Sequence, residues 1–225
     1  MRYGFAHRGG SHGPDNTLVS FEGALAKGAP GLETDAWLTR DGLVVLDHDG
    51  LAGPDRRDPI ATARRADLPA HIPTLAELYE RCGIDFDLAI DVKSGGIADS
   101  VAAVAEEHAA DARLWVVASD PAYIEHLATG HRAVTIRGNQ IRSRRRRSVL
   151  ARARDAGAEA VNARWMWWTR PLVDEVHALG MRAFGYDAQR RSSLDRSLAI
   201  GLDGVFSDHV DRMRAALEAA DRAAG

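Results

Sequence analysis

Two carboxylates stand two residues apart in Leu32-Glu33-Thr34-Asp35-Ala36, and an acid and a lysine repeat that spacing in Leu88-Ala89-Ile90-Asp91-Val92-Lys93. Side chains on a β-strand alternate between its faces, so residues i and i+2 project the same way. In the second stretch Leu88, Ile90 and Val92 would share one face, and Ala89, Asp91 and Lys93 the other. Charge gathered on one face of an apolar strand is costly to bury unpaired. A hard cation held by oxygen ligands would neutralise it; a structural ion pair between Asp91 and Lys93, or a solvent-facing Glu33–Asp35 edge, is the plainer alternative. Two histidines in polar settings, His7-Arg8-Gly9 and His48-Asp49, add groups that exchange protons near neutrality. Together these residue types make a candidate site for phosphate chemistry.

Such residues need a scaffold that aims them at one point. Short apolar runs alternate with helix-period segments along the chain, with candidate strands at 3–7, 31–38, 87–93, 114–119, 133–137, 160–163, 182–187 and 204–208. Between them, 17–27 places Leu18, Phe21 and Leu25 on one face and ends at Gly28. Residues 74–82 open with Thr74 and Glu77 in capping-box spacing and stop at Gly83. Residues 171–179 carry Leu172, Val176 and Leu179 on one stripe, with Thr169 as the N-cap. Strands alternating with helices over this length predict an α/β fold, a single (β/α)8 TIM-type barrel spanning residues 1–225 as one domain. The rival, a doubly wound open sheet, lacks a glycine-rich phosphate fingerprint after the first strand. Asp41-Gly42 between apolar runs predicts a hairpin extension after strand two that brings His48 back over the barrel mouth. His7, Glu33, Asp35, Asp91 and Lys93 then all fall towards carboxyl ends of strands, where barrel active sites lie.

Composition narrows the function classes. Of 225 residues, 45% are hydrophobic and 27% charged, which is ordinary for a globular domain and unlike a disordered chain. A net charge of −3 gives no overall reason to expect nucleic-acid binding. The single cysteine, Cys82, excludes an internal disulfide and reads as a buried structural thiol. No apolar run reaches a membrane-spanning length, so no stable membrane insertion is expected, and without a leader-like start the expected location is cytoplasmic. The arginine-rich run 142–147 reads as a solvated helix face, with a patch for an anionic surface or nucleic acid as the alternative, which no interleaved aromatic residues support by base stacking.

In order and spacing the opening blocks resemble the glycerophosphodiester phosphodiesterase family. The matching pieces are His7-Arg8-Gly9, Pro14-Asp15-Asn16-Thr17 with Phe21 and Ala24, Glu33-x-Asp35, Leu38-Thr39-x-Asp41-Gly42, Val44-Val45 and His48-Asp49. Pro73-Thr74-Leu75-x-Glu77-Leu78, Asp91-Val92-Lys93 and Gly204-Val205-Phe206-Ser207-Asp208 extend the resemblance. It is close over residues 3–94 and architectural beyond. Aspartate replaces glutamate at 15 and at 91, and Phe184-Gly185-Tyr186-Asp187 stands where the family often has Trp-Thr-x-Asn.

What the resemblance implies is a barrel that hydrolyses small-molecule glycerophosphodiesters with one divalent cation. Glu33, Asp35 and Asp91 would be the metal ligands, His7 and His48 the acid–base pair, and Arg8 and Lys93 the phosphate contacts. An all-oxygen donor set suits Mg²⁺ or Ca²⁺ better than Zn²⁺. One histidine must begin neutral and the other protonated; by analogy with cyclising phosphodiesterases His7 is the base and His48 the acid, the reverse order being the alternative, with Asp49 orienting its neighbour. Trp165-Met166-Trp167-Trp168 follows the sixth strand, and Trp167 is expected on an aromatic wall facing the alcohol group, with ordinary packing as the alternative. His12 reads as a loop residue and Asn16 as the cap of the first helix. Two other functions stay in view: sphingomyelinase D-like cleavage of lysolipid headgroups with a cyclic phosphate product, and a barrel that binds phosphate esters without turnover. Oligomeric state is not readable from the residues.

Overall fold

The structure is a computed structural model that describes residues 2–223 apart from His12, Gly53, Pro54 and Arg56. In chain order the strands are β1 (Tyr3–His7), β2 (Gly31–Leu38), β3 (Val44–Leu46), β4 (Leu51–Ala52), β5 (Asp58–Pro59), β6 (Asp87–Val92), β7 (Leu114–Ala118), β8 (His131–Thr135), β9 (Ala160–Arg164), β10 (Arg182–Tyr186) and β11 (Gly204–Ser207). The helices are α1 (Leu18–Ala26), α2 (Leu75–Cys82), α3 (Gly95–Glu107), α4 (Gly138–Ile141), α5 (Arg146–Asp155), α6 (Arg170–His177), α7 (Arg191–Ala199) and α8 (Val210–Arg222). β1, β2 and β6 to β11 pair in parallel, each with its neighbour, and β1 pairs with both β2 and β11. That pairing closes the sheet into a (β/α)8 barrel. β2 also pairs antiparallel with β3, Ala36 opposite Leu46 and Leu38 opposite Val44.

The two-residue period of the strands sorts the core. Leu88, Ile90 and Val92 of β6, with Val116 of β7 and Val161 and Ala163 of β9, pack outwards against the helices. The alternate residues, among them Phe5, Ala89, Trp115, Ala160, Phe184 and Phe206, fill the barrel interior. Phe5 and Phe206 stack with centroids 4.6 Å apart, and Trp115 meets Phe184 edge-on at 5.0 Å. Burying each such ring contributes about 1.5–3 kcal/mol, and each ring pair adds about 0.5–1.5 kcal/mol. This aromatic plug makes the lower barrel solid, and the polar interior positions lie above it.

Helix starts follow local chemistry. Thr74 Oγ1 accepts from the Glu77 amide at 3.1 Å and Glu77 Oε2 accepts from the Thr74 amide at 2.7 Å, a reciprocal capping box. α1 begins with Thr17 as its N-cap, paired reciprocally with Ser20. Asn16, expected to be the cap, is instead buried at φ 57°, and its Oδ1 accepts from the Thr34 hydroxyl at 2.7 Å. That bond ties the β1–α1 loop to β2. Thr169 holds the N-cap position of α6, but its side chain makes no capping bond.

Two elements depart from the sequence reading. β8 spans His131–Thr135, two residues earlier than its apolar run indicates. His131 stacks on Trp115 at 4.6 Å and bonds Glu159 at 2.9 Å, so tertiary contacts recruit polar residues into the strand. Between β7 and β8 the described chain forms no α-helix, only a 3₁₀ turn at Pro121–Tyr123 capped by Asp120. In the arginine run, Arg144, Arg145 and Arg147 are exposed, and Arg146 pairs with Glu175 of α6 at 2.9 Å. Among the described residues no helix is long and apolar enough to cross a membrane.

Cys82, at the end of α2, packs against the main core and is half-buried. Burial, helped by Glu22 and opposed by Arg81, pushes its thiol up to about 11. Its reaction with a disulfide reagent should therefore accelerate about tenfold per pH unit from roughly pH 7 to 9 with no plateau. A plateau near pH 8.5 would show an ordinary exposed thiol.

Candidate active site

A cavity of about 240 Å³ opens at the carboxyl ends of the barrel strands. Three neighbouring strands and their following loops supply its charged wall: His7 and Arg8 from β1, Glu33 and Asp35 from β2, and Asp91 and Lys93 from β6. Register explains the convergence, because His7 lies opposite Glu33 and Asp35 opposite Asp91. His48 reaches the same cavity from the segment after β3.

Each imidazole is held through Nδ1 by an aspartate. His7 Nδ1 lies 2.7 Å from Asp208 Oδ1, and His48 Nδ1 lies 2.7 Å from Asp49 Oδ1. This leaves Nε2 of each ring as the nitrogen that can exchange a proton, that of His7 lying 4.0 Å from Glu33 Oε2. Asp208 follows β11 and ends the closing-strand motif, but nothing in its local sequence marks it as a partner of His7. Its amide is fixed by Gln189 Oε1 at 2.9 Å. The His48 turn is fixed by Asp47 Oδ1, which accepts from the Asp49 and Gly50 amides at 2.9 and 2.8 Å. Gly50 has φ +68°, and a Cβ there would lie 2.4 Å from the Trp37 ring, so the turn needs glycine.

Arg8 has φ 51°, an uncommon conformation for a non-glycine residue. It turns the Arg8 amide towards Glu33 Oε2 at 3.0 Å. Its guanidinium pairs with Asp15 at 3.1 Å and stands 3.6 Å from Asp35 Oδ2. Lys93 Nζ sits between Asp35 at 2.8 Å and Asp91 at 2.6 Å. The charges shape one another. Burial disfavours charged His7, but Glu33 and the Asp208 bond outweigh it and push the imidazole up to about 9. Burial raises the Glu33 carboxyl against the opposing pull of His7. Burial likewise raises Asp91, with Lys93 opposing.

The three acids thus share the cavity in pairs rather than as a gathered ligand set: among the described residues no group of three His, Cys, Asp or Glu is placed to hold a metal ion. The physical reason is that Lys93 bridges Asp35 and Asp91 while Glu33 is turned to His7 and the Arg8 amide. The donors nevertheless fit a hard cation. All are carboxylate oxygens, and Asp35 Oδ2 is buried with no hydrogen-bond partner.

The opposite wall is neutral and comes from Val117, Thr135, Asn162, Tyr186 and Phe206. Trp167 is not part of it. Its ring meets Tyr186 edge-on at 6.4 Å and packs against Gly138, where a Cβ would be 2.6 Å away. Trp168 is a core residue whose Nε1 donates to the Phe184 carbonyl at 2.9 Å. Tyr186 takes the place on the wall that the aromatic run was expected to fill. The sequence signal for Asn162 is a polar residue between Val161 and Ala163, at the two-residue spacing from inward-facing Ala160. His12 lies outside the described residues.

The glycerophosphoryl diester phosphodiesterase family model matches residues 7–212. A glycerophosphodiester phosphodiesterase of Caldanaerobacter subterraneus subsp. tengcongensis is 25% identical over 236 residues, covering 90% of this chain and 92% of that protein. Among solved structures, a glycerophosphodiester phosphodiesterase from Thermotoga maritima superposes with a TM-score of 0.80 at 22% identity, covering 93% of this chain and 96% of that one. An Oleispira antarctica phosphodiesterase, solved in complex with the product sn-glycerol-3-phosphate, superposes with a TM-score of 0.83 at 21% identity, covering 97% of each chain. At these identities the two structures show the shared barrel.

Proposed function

The chain belongs to the glycerophosphoryl diester phosphodiesterase family, and on that premise we propose that it hydrolyses glycerophosphodiesters to glycerol 3-phosphate and an alcohol, with His7 and His48 exchanging the protons. The observation that supports this most is the pair of aspartate-held imidazoles facing one cavity with Arg8 and Lys93.

A phosphodiester is an anion that repels nucleophiles, so the site must present positive charge where phosphate oxygens lie. Arg8 and Lys93 present it from two sides of Asp35. Glu33, Asp35 and Asp91 would hold a divalent cation, Mg²⁺ or Ca²⁺, which when bound supplies further positive charge to the phosphoryl oxygens. In the net reaction an oxygen from water bonds to phosphorus and the bond from phosphorus to the alcohol oxygen breaks. His7 takes the proton from the attacking oxygen once it is neutral, so turnover should rise with pH towards about 9, and His48 gives one to the departing oxygen. The neutral wall receives the uncharged portion of the substrate.

Asp208 acts here as a positioning residue. Asp208→Ala is expected to lower kcat on the order of 10²-fold with KM nearly unchanged, because His7 loses the group that orients its ring. Its effect runs through His7, so the double variant with His7→Ala should be no slower than His7→Ala alone. Additive losses would place Asp208 elsewhere in the mechanism.

The reading as a whole is tested by offering glycerophosphodiesters with different headgroups in Mg²⁺ or Ca²⁺ and measuring released glycerol 3-phosphate. Release from at least one diester is expected. Saturable binding of the diesters without turnover under any metal would identify a binding barrel instead.

A further inference from the structure

The charged wall of the cavity accounts for phosphate binding and proton transfer, but two polar residues on the opposite wall have no part in either. Thr135 of β8 and Asn162 of β9 are direct register partners on adjacent parallel strands. Each follows an inward-facing alanine, Ala133 or Ala160, at the two-residue spacing, so both side chains project into the barrel. Asn162 is only 6% exposed. Its Nδ2 donates to Thr135 Oγ1 over a long 3.4 Å, and its Oδ1 has no hydrogen-bond partner.

An unpaired buried amide oxygen is destabilising and uncommon, and a group that persists in that state needs a reason. Val117 and Phe206, which line the same wall, carry no hydrogen-bonding side chain. Amide and hydroxyl together present a donor and an acceptor side by side, the complement of an alcohol group, which is both. They do not carry charge and so are poorly matched to a phosphate.

The geometry points to Asn162 and Thr135 as specificity-determining residues that bind hydroxyl groups of the glycerol portion while the phosphate is held on the opposite wall. A site built to hydrogen-bond a hydroxyl discriminates strongly against an analogue lacking it, because its own buried groups are then left unpaired. This inference rests on the hydrolytic reading for its substrate class, yet it is testable by binding alone.

The experiment titrates the full chain with sn-glycerol 3-phosphate and with ethyl phosphate, which carries the same phosphate and no hydroxyl. It is run on the unaltered chain, Asn162→Leu and Thr135→Val, with circular dichroism to verify folding. The unaltered chain should prefer glycerol 3-phosphate about 10–100-fold. Asn162→Leu should reduce that preference to within about threefold by weakening glycerol 3-phosphate alone, and Thr135→Val should reduce it in part. If Asn162→Leu fails to fold, the near-isosteric Thr135→Val carries the test, with a partial reduction of the preference expected and an intact preference overturning the inference. No preference in the unaltered chain, no binding of either ligand, equal weakening of both ligands, or a preference intact in the folded variants overturns the inference. A preference that collapses as expected in a chain that hydrolyses no diester overturns the hydrolytic reading and leaves this one standing.

Discussion

His7→Ala and His48→Ala are each expected to lower turnover by about 10²–10⁴-fold while the barrel remains folded. Neither side chain belongs to the core: His48 is exposed and His7 lies at the mouth, so removing them leaves the aromatic plug untouched. The two losses should differ in kind. A substrate with a good leaving group, such as a p-nitrophenyl diester, needs no proton on the departing oxygen. With that substrate His48→Ala should recover most of its rate and His7→Ala should not. The reverse pattern would exchange the acid and base, and unchanged turnover in both variants would remove the histidines from the chemistry.

The second large effect concerns the cation. Exhaustive chelation is expected to lower turnover on the order of 10³-fold, the rate equivalent of the several kcal/mol of charge stabilisation a divalent ion provides. Mg²⁺ or Ca²⁺ should restore it, and a monovalent salt should not. The structure makes this a demanding test, because Lys93 already occupies the space between Asp35 and Asp91. Full activity in chelator would mean that Lys93 and Arg8 suffice as the positive charge. Asp35→Asn, which removes the charge shared by Lys93 and Arg8, should then still reduce turnover, whereas under the cation reading it should also raise the metal concentration needed for half-maximal rate.

The barrel itself was legible in the residues because its strands obey the two-residue period so strictly. In β6, Leu88, Ile90 and Val92 face helices while Ala89 and Asp91 face the interior. The same alternation brings Glu33, Asp35 and Asp91 to one cavity once the parallel register is set. Where the period is masked by polarity, the reading slips, as at the start of β8, where His131 is a strand residue because Trp115 and Glu159 lie beside it. Asp208 escaped assignment for a related reason: its role exists only through ring closure, which sets β11 beside β1 and hence Asp208 beside His7. Trp167 shows the reverse case, a rim aromatic that is not among the residues lining the cavity. An aromatic run at the rim suggests a wall, but the Trp167 ring packs against Gly138, where a Cβ would not fit, and meets Tyr186 edge-on. Local sequence carries no trace of such a long-range fit.

Hydrolysis at phosphorus is tested most directly by incubating the chain with glycerophosphocholine and divalent cation in ¹⁸O-labelled water and examining the products by phosphorus NMR and mass spectrometry. The expected products are glycerol 3-phosphate carrying one ¹⁸O on phosphorus and unlabelled choline. Choline phosphate with free glycerol, label in the alcohol, or no products at all would contradict the assignment.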